Sequence, residues 1–285
     1  MTINNATLLL VVLSVAHLTP STNAIRLYFN DSATHKLDDT TNNYHAHNIF
    51  VSAGSTVELL NGAYITAPSS VDDGESAIRV DDAKFIGVNG TITGGANFGG
   101  VGVTISTSRD SEFDGGADAT FGSGMIVYGG DAARKETTRG GDAVQVLQSG
   151  SKATFDGGVI VAGKGCSPEV CGVASYNGNA IKVIMGEVIV KGGTFDGDFY
   201  NLQGSMKIFG CVEYKDGRVQ GVLSDGSAID VAYVGEKEPE IVYTESVCPA
   251  TTAATDPTSG VEPVRSFSLV LVSMMTASLA VAVCL

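Results

Sequence analysis

The sequence predicts an all-β chain that winds as a β-solenoid. Glycine is enriched, with 36 of 285 residues, whereas about 7% is usual. Isoleucine, valine and phenylalanine run through the same stretches, which argues against disorder. A pattern of three short strands also recurs in fixed order between about residues 75 and 197. Short strands, glycine turns and a fixed-order repeat are together typical of a chain whose coils stack on one another.

Residues 1–24 are predicted to be a secretory signal peptide. Its apolar run ends in a segment with small residues, and Thr22 and Ala24 stand at positions −3 and −1 of a cleavage site before Ile25. The polar residues that follow, 25–46, are interpreted as an N-terminal cap segment.

The repeat contains a short apolar strand, a turn, a strand with a phenylalanine, a glycine turn and another apolar strand. Its first strand recurs at residues 76–80, 142–146 and 179–183. Apolar and polar residues alternate there, so one side of each strand is expected to be buried. Four phenylalanines are predicted to stack along the interior, namely Phe85, Phe121, Phe155 and Phe195. Length varies in the corner loops, such as 131–141 and 163–178.

An antiparallel β-sandwich or barrel is the competing prediction, because it too uses short strands and turns. It does not by itself explain why the same strand order recurs along the chain.

The GxAIxV…TFxGGxI arrangement resembles right-handed parallel β-helix proteins of the pectin-lyase-like class. The closing segment, residues 219–231, is similar to the strand, Asp-Gly turn and strand that end many secreted β-helix proteins. The resemblance covers roughly residues 47–235 and implies a β-helix domain with closing strands over 47–247. Because the class includes polysaccharide lyases, hydrolases and adhesins, it specifies architecture more than function.

The C-terminal region carries a predicted membrane attachment signal. Residues 248–266 form a polar stalk, and residues 267–285 are an uncharged apolar tail about as long as a hydrocarbon core is thick. Small residues, a polar spacer and such a tail are typical of GPI attachment, here at Ala253 or Ser259, with removal of the tail. A retained terminal helix is the alternative. Both place the protein at the extracellular face of the plasma membrane.

The cysteines predict two disulfides. Cys284 would leave with the tail, and an even number then remains in an exported protein. A local Cys166–Cys171 bridge would close a proline-containing loop and leave Cys211 to pair with Cys248, although the other two pairings stay open.

Two sequons predict glycosylation. Asn30 begins Asn-Asp-Ser and Asn89 begins Asn-Gly-Thr, and export makes both usable where they are exposed.

Charge excludes nucleic acid as a partner, because 17 basic against 31 acidic residues give a net charge of −14, the wrong sign for phosphate binding. No cofactor is predicted. A His45–His47 pair and an oxygen-rich group are the candidate metal ligands, but a solvated cap explains the histidines and the oxygen spacing fits no calcium motif. The oxygen-rich group is Asp110, Glu112, Asp114 and Asp118.

The motif sets of polygalacturonase-like hydrolases and pectate-lyase-like enzymes do not occur in the sequence. Candidate sugar-stacking residues are Tyr64, Tyr128, Tyr176 and Tyr200. The predicted function is therefore a non-enzymatic, GPI-anchored surface protein for adhesion or for association with cell-wall polysaccharide or matrix. The alternative is a cell-surface polysaccharide lyase or hydrolase.

Overall fold

The computed structural model describes residues 25–38, 44–45, 47–68, 76–96, 99–107, 116–133 and 139–248. All of them belong to one unit, residues 1–249. The signal peptide, Ala253, Ser259 and the apolar tail lie outside the described residues. None of the helices in the described part of the chain is long and apolar enough to cross a membrane.

The described chain is all-β, with nineteen strands and one short helix. The strands are β1 (Ile25–Phe29), β2 (Thr34–Leu37), β3 (Tyr44–His45), β4 (His47–Val51), β5 (Thr56–Leu59), β6 (Ala63–Thr66), β7 (Ile78–Asp81), β8 (Lys84–Thr93), β9 (Val103–Ser106), β10 (Ala117–Tyr128), β11 (Val144–Val146), β12 (Ser151–Val161), β13 (Asn179–Val183), β14 (Glu187–Asp196), β15 (Asp198–Asn201), β16 (Ser205–Lys215), β17 (Arg218–Leu223), β18 (Ala228–Gly235) and β19 (Glu240–Tyr243). The helix is α1 (Pro168–Cys171).

The strands form three parallel ladders. Ladder A runs β1, β4, β7, β9, β11, β13, β15 and the end of β18. Ladder B runs β2, β5, β8, β10, β12, β14, β16 and β19. Ladder C runs β3, β6 and then the second halves of β8, β10, β12 and β14.

Six coils pass through A, B and C in that order, and the last, formed by β15 and β16, passes through A and B only. This gives the described region a solenoid-like form. The prediction of an all-β chain is confirmed. The antiparallel sandwich is wrong, because antiparallel pairing is confined to β16, β17 and β18 in the described residues. The described part of the predicted cap already supplies the first strands of the ladders.

Strand alternation builds the core. In ladder A, for example, Ile78 and Val80 are fully buried while Arg79 between them is exposed. Burying such side chains is the main favourable contribution to folding, at about 1.5–3 kcal/mol for each large one.

The predicted phenylalanine stack is present as a chain of ring contacts. Centroids lie 5.8 Å apart for Phe85 and Phe121, 4.8 Å for Phe121 and Phe155, and 5.7 Å for Phe155 and Phe195. The rings do not all occupy equivalent positions, however. Phe121 is in register with Phe155, but Phe85 is in register with Ala119.

The difference arises because the phenylalanines occupy different positions along their strands. Phe121 is opposite Gly87, two positions beyond Phe85 in ladder B. Phe195 lies beyond the bend, opposite Ile160. The pairing of β10 with its neighbours shifts register just after Phe121, so strands of different length still align on both sides of the bend. Gly158 lies at the corresponding bend of β12 with φ +94°, a backbone conformation that favours glycine.

The four cysteines of the described region lie in two pairs. Cys166 and Cys171 have Cα atoms 6.1 Å apart, and Cys211 and Cys248 have Cα atoms 4.9 Å apart. Both separations fall within the range of disulfides and fit the pairing that begins with the local bridge. The second pair joins β16 to the residues just after β19.

The C-terminal end of the ladders contains a buried tyrosine. The Tyr233 hydroxyl donates to the Lys237 carbonyl at 2.6 Å and accepts a hydrogen bond from the Asn201 amide at 2.9 Å. Burial raises the pKa of Tyr233 above its usual value, although the hydrogen bond from Asn201 opposes the shift.

Candidate functional site

Three successive coils send loops out between ladder C and ladder A. The chain leaves the ladders after Gly95, Gly130 and Gly163 and returns at Gly100, Gly141 and Gly178, and a column of glycines joins these points. Of the intervening segments 96–99, 131–140 and 164–177, residues 97–98 and 134–138 lie outside the described residues. In order along the column the glycines are Gly95, Gly100, Gly130, Gly141, Gly163 and Gly178. Each N–H donates to the carbonyl of the preceding glycine in this order, at 2.7–2.9 Å. Along the glycine column, a glycine after which a loop leaves the ladders is therefore followed by a glycine at which that loop returns.

The glycine column excludes side chains because the backbones approach too closely. A Cβ on Gly130 would overlap the carbonyl of Gly95, and one on Gly141 would overlap the carbonyl of Gly100. The bases of the loops are thus fixed by backbone contacts alone. Loops held on such a scaffold are common positions for binding residues.

The largest of these loops, residues 164–177, is closed by its own contacts. Cys166 and Cys171 pack with Ala132 of the neighbouring loop in a small apolar cluster, and the Lys164 N–H donates to the Asp131 carboxylate at 2.7 Å. The loop exposes large apolar side chains, namely Val170, Val173 and Tyr176. Tyr176 is 69% exposed, so its ring is available to a partner.

A buried carboxylate lies where the second of these loops returns to ladder A. Asp142 is only 4% exposed, and it accepts hydrogen bonds from the N–H and the side-chain amide of Asn179, at 2.7 and 2.6 Å. Gln145 donates to it at 2.7 Å. Two cations also contact it, Arg139 at 3.3 Å and Lys182 at 3.5 Å. Asp142 thereby orients donors that lie on three different segments of the chain.

The outer face of ladder A extends this polar group into a strip. Its outward side chains are in register in the order Arg79, Thr104, Gln145, Lys182 and Tyr200. We call these five residues the polar strip.

Further hydrogen bonds stabilise the first coils of the polar strip. Arg79 donates to Asp81 at 2.6 Å, and the Ser106 hydroxyl donates to the same carboxylate. The hydroxyls of Ser76 and Thr104 lie 2.5 Å apart. Thr104 itself is buried, so the other four residues of the strip present its accessible polar groups, most of them donors, at multiples of the rung spacing of a parallel sheet, about 4.8 Å. This arrangement suits a ligand rich in hydroxyl groups.

Two of the predicted sugar-stacking residues lie at this site. Tyr200 is half-buried within the polar strip, and Tyr176 extends from the neighbouring loop. Tyr64 and Tyr128 lie elsewhere, on ladder C.

Most of the candidate metal ligands cannot be placed within the described part of the chain. Asp110, Glu112 and Asp114 lie outside the described residues, as do the side chains of His45 and His47, whereas Asp118 lies on β10. Within the described segments there is no group of three His, Cys, Asp or Glu residues that could hold a metal ion.

His35, in the predicted cap, forms a hydrogen bond with Asp31. Its Nε2 lies 2.7 Å from an Asp31 oxygen, and this hydrogen bond is the main reason that the pKa of Asp31 lies below its usual value.

Both predicted glycosylation residues are exposed. Asn30 follows β1, and Asn89 lies in the bend of β8. Glycosylation at each remains a prediction.

No protein-family model, curated protein or solved structure matches this chain.

Sequence reasoning recognised the strand that begins at Asp142 but did not assign the residue a role. The position of Asp142 at the start of a repeated strand is the feature of the sequence that could have identified it. The equivalent strands begin with the uncharged residues Ser76 and Asn179. A carboxylate at the same position of the repeat therefore indicates a contact that the other coils do not make. Arg139 had no such signal, since it lies in a loop outside the repeat.

Proposed function

We propose that the protein is a non-enzymatic cell-surface protein that binds extracellular polysaccharide through the polar strip and the adjacent loop 164–177. The observation that carries this proposal is the register of donors and acceptors along the outer face of ladder A, beside an exposed tyrosine on a closed loop. Carbohydrate recognition needs both hydroxyl-binding polar groups and an aromatic surface. The chemistry of the site supports a glycan ligand.

We also propose that the ladders wind as a right-handed parallel β-helix of the pectin-lyase-like class. Parallel pairing in all three ladders and the constant order A, B, C support this assignment. The two proposals are independent, because this architecture carries both enzymes and binding proteins.

Binding is favoured over hydrolysis by the contacts of the carboxylates at the site. Hydrolysis by two carboxylic acids requires one group to donate a proton and another to activate water or attack the sugar. Asp142 contacts Arg139 and Lys182, and Asp81 contacts Arg79 and Ser106. Their oxygens are engaged in holding the strip together. Depolymerisation of a polysaccharide by the purified protein would instead favour the lyase or hydrolase.

Truncation of Tyr176 is expected to weaken glycan binding. In affinity electrophoresis through gels that contain soluble plant, algal or fungal polysaccharides, Tyr176→Ala should raise Kd at least about fivefold for any polysaccharide that retards the native protein, because removal of an exposed aromatic contact at a binding site costs about 1 kcal/mol or more. Tyr243→Ala is the matched control, since Tyr243 on β19 is 66% exposed and lies away from the strip. Equal effects of the two substitutions, or no retardation by any polysaccharide, would contradict the proposed site.

Attachment to the cell surface by a GPI anchor is part of the same proposal. Phosphatidylinositol-specific phospholipase C should release the protein from intact cells, because it cleaves the lipid from the anchor. Retention after treatment, with release of a known anchored protein in the same sample, would favour a retained terminal helix.

A further inference from the structure

Ladder C presents an outer face that differs chemically from its neighbours. Two rows of side chains point outward from four successive strands, and each row is in register. One row is Tyr64, Thr91, Ile126 and Val159, and the other is Thr66, Thr93, Tyr128 and Val161. We call these eight residues the threonine–valine face. The side chains that alternate with them, such as Ile65, Ile92 and Val127, are fully buried in the core.

None of the eight side chains is charged, and this is not a general property of the molecule. The chain carries a net charge of −14. On the adjoining face of ladder B, the corresponding outward row is Lys84, Asp118, Lys152 and Glu187. Glu187 there forms ion pairs with Lys152 at 3.9 Å and Lys207 at 3.3 Å. The eight residues thus carry no charge, whereas the next face carries charges of both signs. At the edge of the eight, the exposed Asp196 of β14 follows Val161 in register, so the only charge that the described part of β14 adds to this row is negative.

The threonine–valine face is flat and periodic. Neighbouring strands of a sheet lie about 4.8 Å apart, and side chains on the same face of one strand lie about 6.7 Å apart. Thr91 and Thr93 each offer a hydroxyl and a methyl group, and Tyr128, which is 38% exposed, adds a ring. The hydroxyl oxygen of Thr66 is buried, so this residue contributes through its apolar surface. The face therefore presents hydrogen-bonding and apolar groups on a regular two-dimensional net.

We propose that the threonine–valine face binds the flat surface of an ordered, uncharged polysaccharide. This rests on the proposed function only in taking extracellular polysaccharide as the ligand, because it assigns a second face and a narrower ligand class. An acidic polysaccharide or an anionic membrane would gain nothing from a face without cations. A regular solid surface offers repeated hydroxyl and apolar groups to the whole net at once.

The size of the face argues against a second copy of the chain as its occupant. Four strands and two rows of side chains cover about 19 Å by about 13 Å, or about 250 Å². A stable protein interface buries about 800 Å² on each partner. The face is too small to hold a stable dimer by itself, whereas many copies adsorbed side by side on a solid each need only a small area.

Binding to microcrystalline cellulose and to chitin tests the proposal. The detergent-solubilised full-length protein should carry Asn89→Gln in every arm, because a glycan on Asn89, in the bend beside the face, would cover it. We expect depletion from solution by at least one of the two solids, with no loss in 1 M salt. Thr93→Glu and Tyr128→Lys should each lower the partition coefficient about tenfold, since either sign of charge is costly to desolvate against an uncharged surface.

Thr154→Glu is the matched control. Thr154 is another half-buried, outward threonine, but it lies on ladder B, so its replacement should leave adsorption unchanged. The melting temperatures of all variants should first be compared, so that only folded protein is scored.

No adsorption to either solid, or equal losses for Thr93→Glu and Thr154→Glu, would overturn the proposal. A doubled mass in sedimentation that Thr93→Glu abolishes would overturn it in favour of a second copy, and inhibition of ice growth without polysaccharide adsorption would overturn it in favour of ice.

The proposals for the polar strip and for the threonine–valine face can be refuted independently of each other. If adsorption to solids is absent while Tyr176→Ala still weakens binding of soluble polysaccharide, only the threonine–valine face is refuted. If Thr93→Glu abolishes adsorption while Tyr176→Ala has no effect on soluble ligands, the polar strip is refuted and the threonine–valine face stands.

Discussion

Replacing Phe121 with alanine is expected to lower the free energy of unfolding by about 4 kcal/mol. The Phe121 side chain is fully buried, and its ring contacts those of Phe85 and Phe155 in the coils on either side. Truncation removes the buried surface of the ring and leaves a cavity that neighbouring strands, fixed by their hydrogen bonds, fill only in part. Urea unfolding followed by far-ultraviolet circular dichroism measures the loss, because the chain contains no tryptophan for fluorescence.

Phe121→Leu provides the control for this prediction. It keeps most of the buried volume and should cost about 1 kcal/mol. A loss below 1 kcal/mol for Phe121→Ala would mean that the ring does not occupy the interior of the stack. A loss as large for Phe121→Leu as for Phe121→Ala would point to ring geometry rather than volume.

Replacing Gly141 with alanine is expected to cost about 3 kcal/mol, near the upper end for the insertion of extra atoms into a packed region. The new Cβ would overlap the Gly100 carbonyl. That carbonyl belongs to the backbone, so it cannot rotate away as a flexible side chain could. The contact is therefore relieved only if the hydrogen bonds of Gly141 with Gly130 and Gly163, both at 2.8 Å, lengthen. The same urea titration measures this effect.

Gly172→Ala separates the cost of overlap from the cost of backbone conformation. Gly172 has φ +69°, and a Cβ there would meet nothing within 4 Å, so the expected loss is about 1–2 kcal/mol from the left-handed conformation alone. If Gly141→Ala were no more destabilising than Gly172→Ala, the close packing of the glycine column would be refuted.

The alternation of apolar and polar residues predicted the fold class well, because the same pattern of buried and exposed side chains recurs in each coil of this chain. The alternation in strands such as β7, β11 and β13 is visible in the sequence, and all three strands lie in ladder A. The spacing of the phenylalanines also predicted ring contacts. It did not predict their register, because the spacing between phenylalanines differs from the number of residues in one coil. Phe121 therefore pairs with Gly87 and not with Phe85, and the length of a coil is known only from the structure.

The site was less predictable than the fold because its contacts join distant segments. Asp142 contacts Asn179 and Lys182 in the next coil, and such partners are defined only once the register of the coils is known. The sequence predicts glycine turns, but the continuous hydrogen-bonded column depends on how three loops of different length return to ladder A. The uncharged character of the threonine–valine face became visible only when its two rows were aligned across strands.

The glycine column also bears on how this surface can diversify. Its own contacts are made by backbone N–H and carbonyl groups, so the column sets no requirement on the length of chain between one base and the next. The segments 96–99, 131–140 and 164–177 already differ in length. Insertions that preserve the contacts of Asp131 with Lys164 and of Arg139 with Asp142 are therefore expected to alter what the molecule recognises at little cost to the ladders that display it.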